Sequence, residues 1–422
     1  MKKPTDNFFN EKKPWSIAKD DLLRCYIGPY MNKVLINRSP VVYIDCFAGA
    51  GYFGNNESIE KINITDNDVP KNFGSPFIAL KEMERACNAS NLPDPKYGLY
   101  FIEKEYHQEL SSNLKKSQFQ TNHYRILPGD FKENIIWIKD RYAEMKSKPN
   151  LFCYVDPFGV KDLKIDIFKD FCSVKFHTIE LLINFNSFGF LRFACGAVNV
   201  DIREKELREL VDMVERDSLP EEHKPSRLSA LDEILGTHIW RDIIEDYRSG
   251  KIDGYSAESQ IACLYKRQLK VELGFKYVLS IPIRINESKH PKYRMVHATN
   301  HADGVFLMAK VMLGRRDYLY DYQQKQSGCN DLFDQEDYRQ GPSIEACIED
   351  ILRDGKEWRG TDFYAEYYST CDLTSKLQST LRQMERDDRI KIRRIPALTD
   401  NGKPRTFMLE DTRCKLFIQW KK

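Results

Sequence analysis

The chain has 422 residues, too many for one ordinary core, so two domains, or one large domain with an appendage, are expected. With 41% hydrophobic and 30% charged residues it reads as a packed globular protein rather than a disordered polar chain, and a net charge of only +2 excludes a polycation, so any nucleic-acid binding must come from a local patch. Eleven scattered cysteines without a C-x-x-C pair exclude a zinc knuckle or disulfide framework; no metal site is expected, and a start without an apolar signal region and no apolar run near ~18 residues point to a reduced cytosol and no membrane span.

Residues 16–35 show helical spacing of Leu22, Leu23, Tyr26, Tyr30 and Val34, with Pro29 expected to kink or end the helix. VVYIDCF (41–47) reads as a buried parallel strand running into a glycine loop, and 55–73 as a long polar loop. Gly74-Ser75-Pro76 predicts a helix to about Ala89, with Ser75 as its cap and Pro76 first inside it. Strands at 97–103, near 124–127, at 151–156 and at 178–185 then alternate with helices, which indicates a parallel sheet covered on both faces. Residues 195–253 break the rhythm as a charged helical insertion. A helix at about 255–272 precedes an antiparallel pair, 275–285 and 293–299. The expected organisation is an α/β domain over 1–325, a linker over 326–343 and a module over 344–422. In that module three helical patterns precede a basic tail, 389–410, read as two strands around a D-N-G turn: a winged helix.

The sharpest local feature is Asp45-Cys46-Phe47-Ala48-Gly49-Ala50-Gly51, where a strand ends and the chain turns over glycines that let backbone approach a ligand. Gly49, Gly51 and Gly54 also spell G-x-G-x-x-G, so a dinucleotide site has to be weighed. That fingerprint needs a helix opening at the third glycine, and here a polar stretch follows it. Asp45 would also repel a pyrophosphate, whereas it would suit a ligand with an ammonium tail. The motif resembles the first motif of class I S-adenosylmethionine-dependent methyltransferases, especially those acting on nucleic acids, whose parallel sheet is closed by an antiparallel strand. The resemblance implies S-adenosylmethionine as cofactor, a loop containing Phe47 and lined by Gly49 and Gly51, and Asp45 near the methionine end, directly or through water.

Glu103, ending the next strand, can accept from two adjacent ribose hydroxyls; a plain surface charge is the alternative. Asp130 in G-D-F would, by the same resemblance, take the adenine amine, with an adjacent apolar residue on the ring. A helix N-cap explains it equally well. The strand ending in Asp156-Pro157-Phe158-Gly159 supplies a catalytic-type loop: Pro157 stiffens the turn, Phe158 can stack on a planar base, and Asp156 or loop carbonyls can accept from an exocyclic amine. D-P-F-G resembles the D-P-P-Y-type motif of amino-methyltransferases and, more closely, the D-P-F-G loop of tRNA guanine-N2 methyltransferases. A strand-to-helix turn with a buried Phe is the structural alternative. Asn184 reads as a core strand end, and Lys19 more readily as a solvated helix charge than as a partner of the cofactor carboxylate.

The order FFNEKKPWSIAKDDLLRCY, YIDCFAGAGYFG, GSPFIAL, FIEKE, DPFG and VHATNHADG resembles the three-Cys-motif partner protein family of bacteria and phages. The resemblance spans most of 8–315 and implies a methyltransferase-like fold and a companion cysteine-motif protein. In the tail, Arg389, Lys391, Arg393, Arg394, Lys403 and Arg405 are candidate DNA or RNA contacts. The leading expectation is methyl transfer to an exocyclic amine of nucleic acid. The rivals are a non-catalytic partner or scaffold and an NAD-linked oxidoreductase.

Overall fold

A computed structural model describes residues 12, 14–36, 39–54, 72–90, 92, 96–117, 123–146, 148–205, 208, 224–284, 291–327, 342–371, 373–410 and 413–421. All of the expected loop over 55–73 except Asn72 and Phe73, most of the linker and part of the helical insertion lie outside these residues. Two compact units form, Met1–Lys276 with Ser280–Thr299, and Tyr277–Leu279 with Asn300–Lys422. The helix Ala302–Ser327 lies in the second unit, whereas the sequence reading drew a boundary at 325.

A mixed seven-stranded sheet with flanking helices organises the first unit. Its strands are β1 (Val41–Asp45), β2 (Tyr97–Glu103), β3 (Tyr124–Pro128), β4 (Asn150–Val155), β5 (Thr178–Phe185), β6 (Tyr277–Arg284, whose first three residues are counted in the second unit) and β7 (Pro291–Thr299), in the order β3-β2-β1-β4-β5-β7-β6. The first five are parallel, and β7 runs antiparallel to β5. The central strands β1 and β4 are buried at every residue, as their unbroken apolar runs require, while the edge strand β3 is mostly half-buried or exposed. The order reverses between β1 and β4. In open α/β sheets such a switch point, at the carboxyl ends of the strands, is where ligands bind.

Around the sheet lie α1 (Pro14–Leu35), α2 (Ser75–Ala89), α3 (His107–Lys116), α4 (Phe131–Ala143), α5 (Ile165–Cys172) and α6 (Ser187–Ala197). Helix α1 packs on α2, and the helix Gly254–Leu273 packs on α5 and α6. Pro29 does not end α1, which runs unbroken to Leu35. Its apolar face, including Leu22, Leu23, Tyr26 and Tyr30, is buried, and that packing outweighs one lost backbone hydrogen bond. The cap of α2 shifts by one residue: Gly74 is the N-cap, and Ser75 is the first helical residue. The described part of the insertion includes helices Lys224–Leu235 and Trp240–Arg248.

In the second unit, helices Ile344–Leu352, Gly360–Thr370 and Leu377–Arg386 accompany a three-stranded sheet ordered β8 (Trp358–Arg359), β10 (Lys415–Trp420), β9 (Ile390–Ile395). The strand pairing with β9 is therefore 415–420 rather than a segment within 403–410. Leu416 and Ile418 alternate inward and supply a period-two apolar face that 403–410 lacks. The D-N-G turn does form, but only closes a single Leu398–Pro404 bridge inside the connection.

Candidate functional site

The Asp45–Gly51 loop leaves β1 and the Asp156–Gly159 loop leaves β4, neighbouring parallel strands in register Asp45 to Tyr154. Asp45, Gly49 and Glu103 thus gather at one edge. The Gly49 amide donates to Glu103 Oε2 at 2.7 Å, and the amides of Glu105 and Tyr106 donate to Oε1 at 2.8 and 3.0 Å. Glu103 is therefore the anchor of the glycine loop rather than a free surface charge. A carboxylate offers about four acceptor directions, so three amides leave room for one further donor.

The loop conformation explains its glycines. Gly49 and Gly51 have φ of 60° and 75°, in the left-handed region. Gly51 departs from its expected role as lining. It is buried, and a Cβ there would lie 2.6 Å from Leu110 Cδ1 and 3.1 Å from Phe77. Gly51→Ala combines strain at φ with overpacking and is expected to cost about 1–3 kcal/mol, read as a lower urea midpoint. An unchanged midpoint would mean that the loop does not hold this conformation.

Asp45 is fully buried. It accepts from Ser75 and, at 3.4 Å each, from the Phe47 amide and the Tyr43 hydroxyl. Burial pushes its carboxyl up to about 8, because desolvation outweighs the Ser75 and Phe47 hydrogen bonds. A direct contact with a solvent-borne ligand, one of the two readings left open for Asp45, is closed in this conformation. Phe47 is half-buried, its ring 5.0 Å from buried Phe131, which is the apolar neighbour that the G-D-F motif placed near an adenine. Asp130 caps α4 by accepting from the Lys132 amide at 2.9 Å with Oδ1, and its Oδ2 faces Lys104 at 3.4 Å.

Asp156 stands at the centre of the site. Lys19 Nζ lies 2.7 and 2.9 Å from its two oxygens, Asn184 Nδ2 donates to Oδ1 at 2.7 Å, and the Tyr154 hydroxyl is 3.4 Å from Oδ2. The Lys19 ammonium also sits 4.9 Å from the centroid of the Tyr293 ring. Pro157 is buried and Phe158 is 57% exposed, so the ring of this loop faces outward rather than into the core. Lys12 pairs with Asp20 on the same N-terminal segment, and burial raises the Asp20 carboxyl despite that partner. Three carboxyl groups and two ammonium groups thus share one partly desolvated cluster.

Two of these residues have a larger part than their sequence context suggests. Lys19 stands three, four and seven positions before Leu22, Leu23 and Tyr26, so helical spacing puts it on the buried face, and its 6% exposure reflects that. Asn184 is 2% exposed, and only the tertiary structure brings it to Asp156, 28 positions away. Two further buried networks went unforeseen. Glu180 accepts from Tyr26 and lies 2.9 Å from His297 Nε2, and Arg294 donates twice to Glu258 at 2.6 Å. Among the described residues no group of three His, Cys, Asp or Glu side chains is placed to hold a metal ion.

The basic tail is largely paired within its own unit. Arg389 pairs with Glu345, Arg393 with both oxygens of Glu357 at 2.8 and 2.5 Å, and Arg394 with both oxygens of Glu385 at 2.7 and 2.8 Å. Arg405 donates to the Leu398 carbonyl at 3.0 Å. Lys391 and Lys403 are exposed. Over 344–422 sixteen Lys and Arg meet fourteen Asp and Glu, so the run of charge in the tail is answered by acids elsewhere in the fold.

No protein-family model matches the chain, and no curated protein matches it. Solved structures that are distantly similar include protein LPL1258 from Legionella pneumophila, 13% identical over 42% of this chain and 69% of that one, with a TM-score of 0.28. Another is the plantazolicin methyltransferase BamL, solved with a triazolic desmethylPZN analog and SAH, 13% identical over 68% of this chain and 86% of that one, TM-score 0.27. A third is a Nostoc punctiforme protein provisionally assigned as an O-methyltransferase, 7% identical over 65% and 57%, TM-score 0.22. At such values the likeness to methyltransferase folds carries no argument, and function has to be argued from the site. No described helix is long and apolar enough to cross a membrane.

The residues present fit S-adenosylmethionine at its nucleoside end. Glu103 keeps an acceptor direction beside Gly49, and the Phe47–Phe131 pair offers an apolar surface next to it. At the methionine end Asp45 is enclosed. Beside Asp156, the buried Asn184 Oδ1 has no hydrogen-bond partner among the described residues, which leaves an acceptor for an N–H donor.

Proposed function

We propose that this protein binds S-adenosylmethionine at the carboxyl edge of its sheet and transfers the methyl group to an exocyclic amine of a nucleic-acid base. The observation that carries this reading is the meeting of the Asp45–Gly51 and Asp156–Gly159 loops on adjacent strands where the strand order reverses. Glu103 would hold the ribose, with Gly49 giving close backbone approach, Phe47 and Phe131 flanking the adenine and Asp130 meeting its amine. The cofactor supplies an electrophilic methyl group. The chain's part is to orient an amine with Asp156 and Asn184, stack its ring on Phe158 and exclude water.

Isothermal titration with S-adenosylmethionine tests the cofactor site. Glu103→Ala is expected to weaken binding about 10- to 100-fold, since it removes a charge-assisted hydrogen bond and the anchor of the loop. No binding by the unmodified chain sinks the reading. Nucleoside mass spectrometry of cells with and without the protein then reads the acceptor.

The second unit is read as a winged helix touching phosphate through Lys391 and Lys403, with Arg389, Arg393, Arg394 and Arg405 available only by exchanging their internal partners. The motif order supports membership of the three-Cys-motif partner family and a companion cysteine-motif protein. A second reading, a non-catalytic partner protein, is favoured by one observation: Asp156 is already held by Lys19 from within. Cofactor binding without turnover on DNA or RNA would select it.

A further inference from the structure

The Lys19–Asp156 pair is unusual for where it stands. Lys19 is 6% exposed, and its ammonium rests on the acid of the D-P-F-G loop, the group read above as the holder of an acceptor amine. Its other neighbours suit a nucleophilic nitrogen as well. The Tyr293 ring offers a π-face at 4.9 Å, a surface that accommodates an ammonium and its methylated forms alike. Asn184, bound to the same carboxylate through Nδ2, leaves Oδ1 buried without a partner among the described residues, an acceptor for a further N–H. The carboxylate fixes the amide's orientation, since only its NH2 end can donate to Asp156 Oδ1. A primary amine therefore already occupies this position, supplied by the chain itself.

We propose that Lys19 is a methyl acceptor in cis, so that this protein methylates its own N-terminal helix; this rests on the cofactor reading above. A proton passes from the Lys19 ammonium to Asp156, freeing the nitrogen lone pair. The lone pair forms the N–CH3 bond as the S–CH3 bond of S-adenosylmethionine breaks, and the bonding pair stays on sulfur as a neutral thioether. Asp156 then releases its proton to solvent. The methylated nitrogen keeps its positive charge and so keeps Asp156 and the Tyr293 face as partners. Asp156 handles the proton and Asn184 orients the amine.

The test uses the full chain with S-adenosylmethionine. Binding is measured first by titration, and incubated protein is then digested and mapped by mass spectrometry. The peptide containing Lys19 is expected to gain one or more CH2 units, with a rate per molecule that does not change on dilution, as a reaction in cis requires. Lys19→Arg keeps the charge beside Asp156 and is expected to bind cofactor while losing that increment. Asn184→Leu is expected to slow modification at least tenfold when measured at saturating S-adenosylmethionine. Cofactor bound with the Lys19 peptide unmodified overturns the proposal and leaves the cofactor reading standing. Absence of binding overturns both, and a rate that rises with protein concentration overturns the cis assignment.

Discussion

Replacing Lys19 with methionine is expected to destabilise the first unit by about 3 kcal/mol or more. Methionine keeps an unbranched chain of similar length, so the change removes charge and hydrogen bonds rather than packing. The Lys19 and Asp156 side chains are only 8% and 21% exposed, so water solvates the abandoned carboxylate poorly. Asp20 and Asp45 sit close enough that each feels the charge of Asp156, and the loss therefore spreads through the cluster. Lys19→Met/Asp156→Leu should recover most of the loss, because the cost lies in the unpaired charge rather than in the missing pair. Urea unfolding of the four chains of that cycle gives the coupling energy directly. A Lys19→Met effect below about 0.5 kcal/mol, the size of a surface change, would show Lys19 to be a solvated charge after all.

Asp45→Asn is expected to make the protein, with no ligand added, more stable at pH 7–8 and to leave it nearly unchanged near pH 4. The Asp45 carboxyl titrates near 8 in the fold against an ordinary 3.8. Between those values the folded chain keeps a proton that the unfolded chain has released. The unfolded state then binds fewer protons, so stability falls as pH rises, by about 1.4 kcal/mol per unit for one proton. Below the ordinary value both states are protonated and the penalty is absent; above about 8 it is complete. Asparagine has no proton to lose, so subtracting its stability from that of the parent over pH 4–8 isolates this one group. Parallel pH profiles for the two chains would show instead that Asp45 is ionised in the fold. A cationic ligand beside Asp45 would act in the opposite sense by favouring the carboxylate.

Much of the architecture could be read from apolar runs and their boundaries. VVYID, YGLYFIE, LFCYV and TIELLINF are continuous enough to be buried parallel strands, and both acidic loops follow such runs immediately, which puts Asp45 and Asp156 at strand ends. Periodicity also contained the burial of Lys19, but charge argued against it, and a single lysine on an apolar stripe reads either way until a carboxylate is placed opposite. The strand that pairs with β9 lies beyond the expected 389–410 tail because the D-N-G turn is a local signal, whereas that pairing is decided by the apolar alternation of 415–420 further along.

What local sequence determined by itself was therefore the position of each reactive side chain along its element: which strand an acid ends, which glycines turn, which face a helix buries. Partnership was decided only in three dimensions. Lys19 meets Asp156 across 137 positions, Asn184 meets it across 28, and Arg389 and Arg393 meet acids 44 and 36 positions away. Charge and hydrogen bonding act over a few ångströms of space whatever the separation along the chain. A run of arginines reads as a basic patch in one dimension, and once the glutamates fold beside it, much of that patch is an internal ion-pair network.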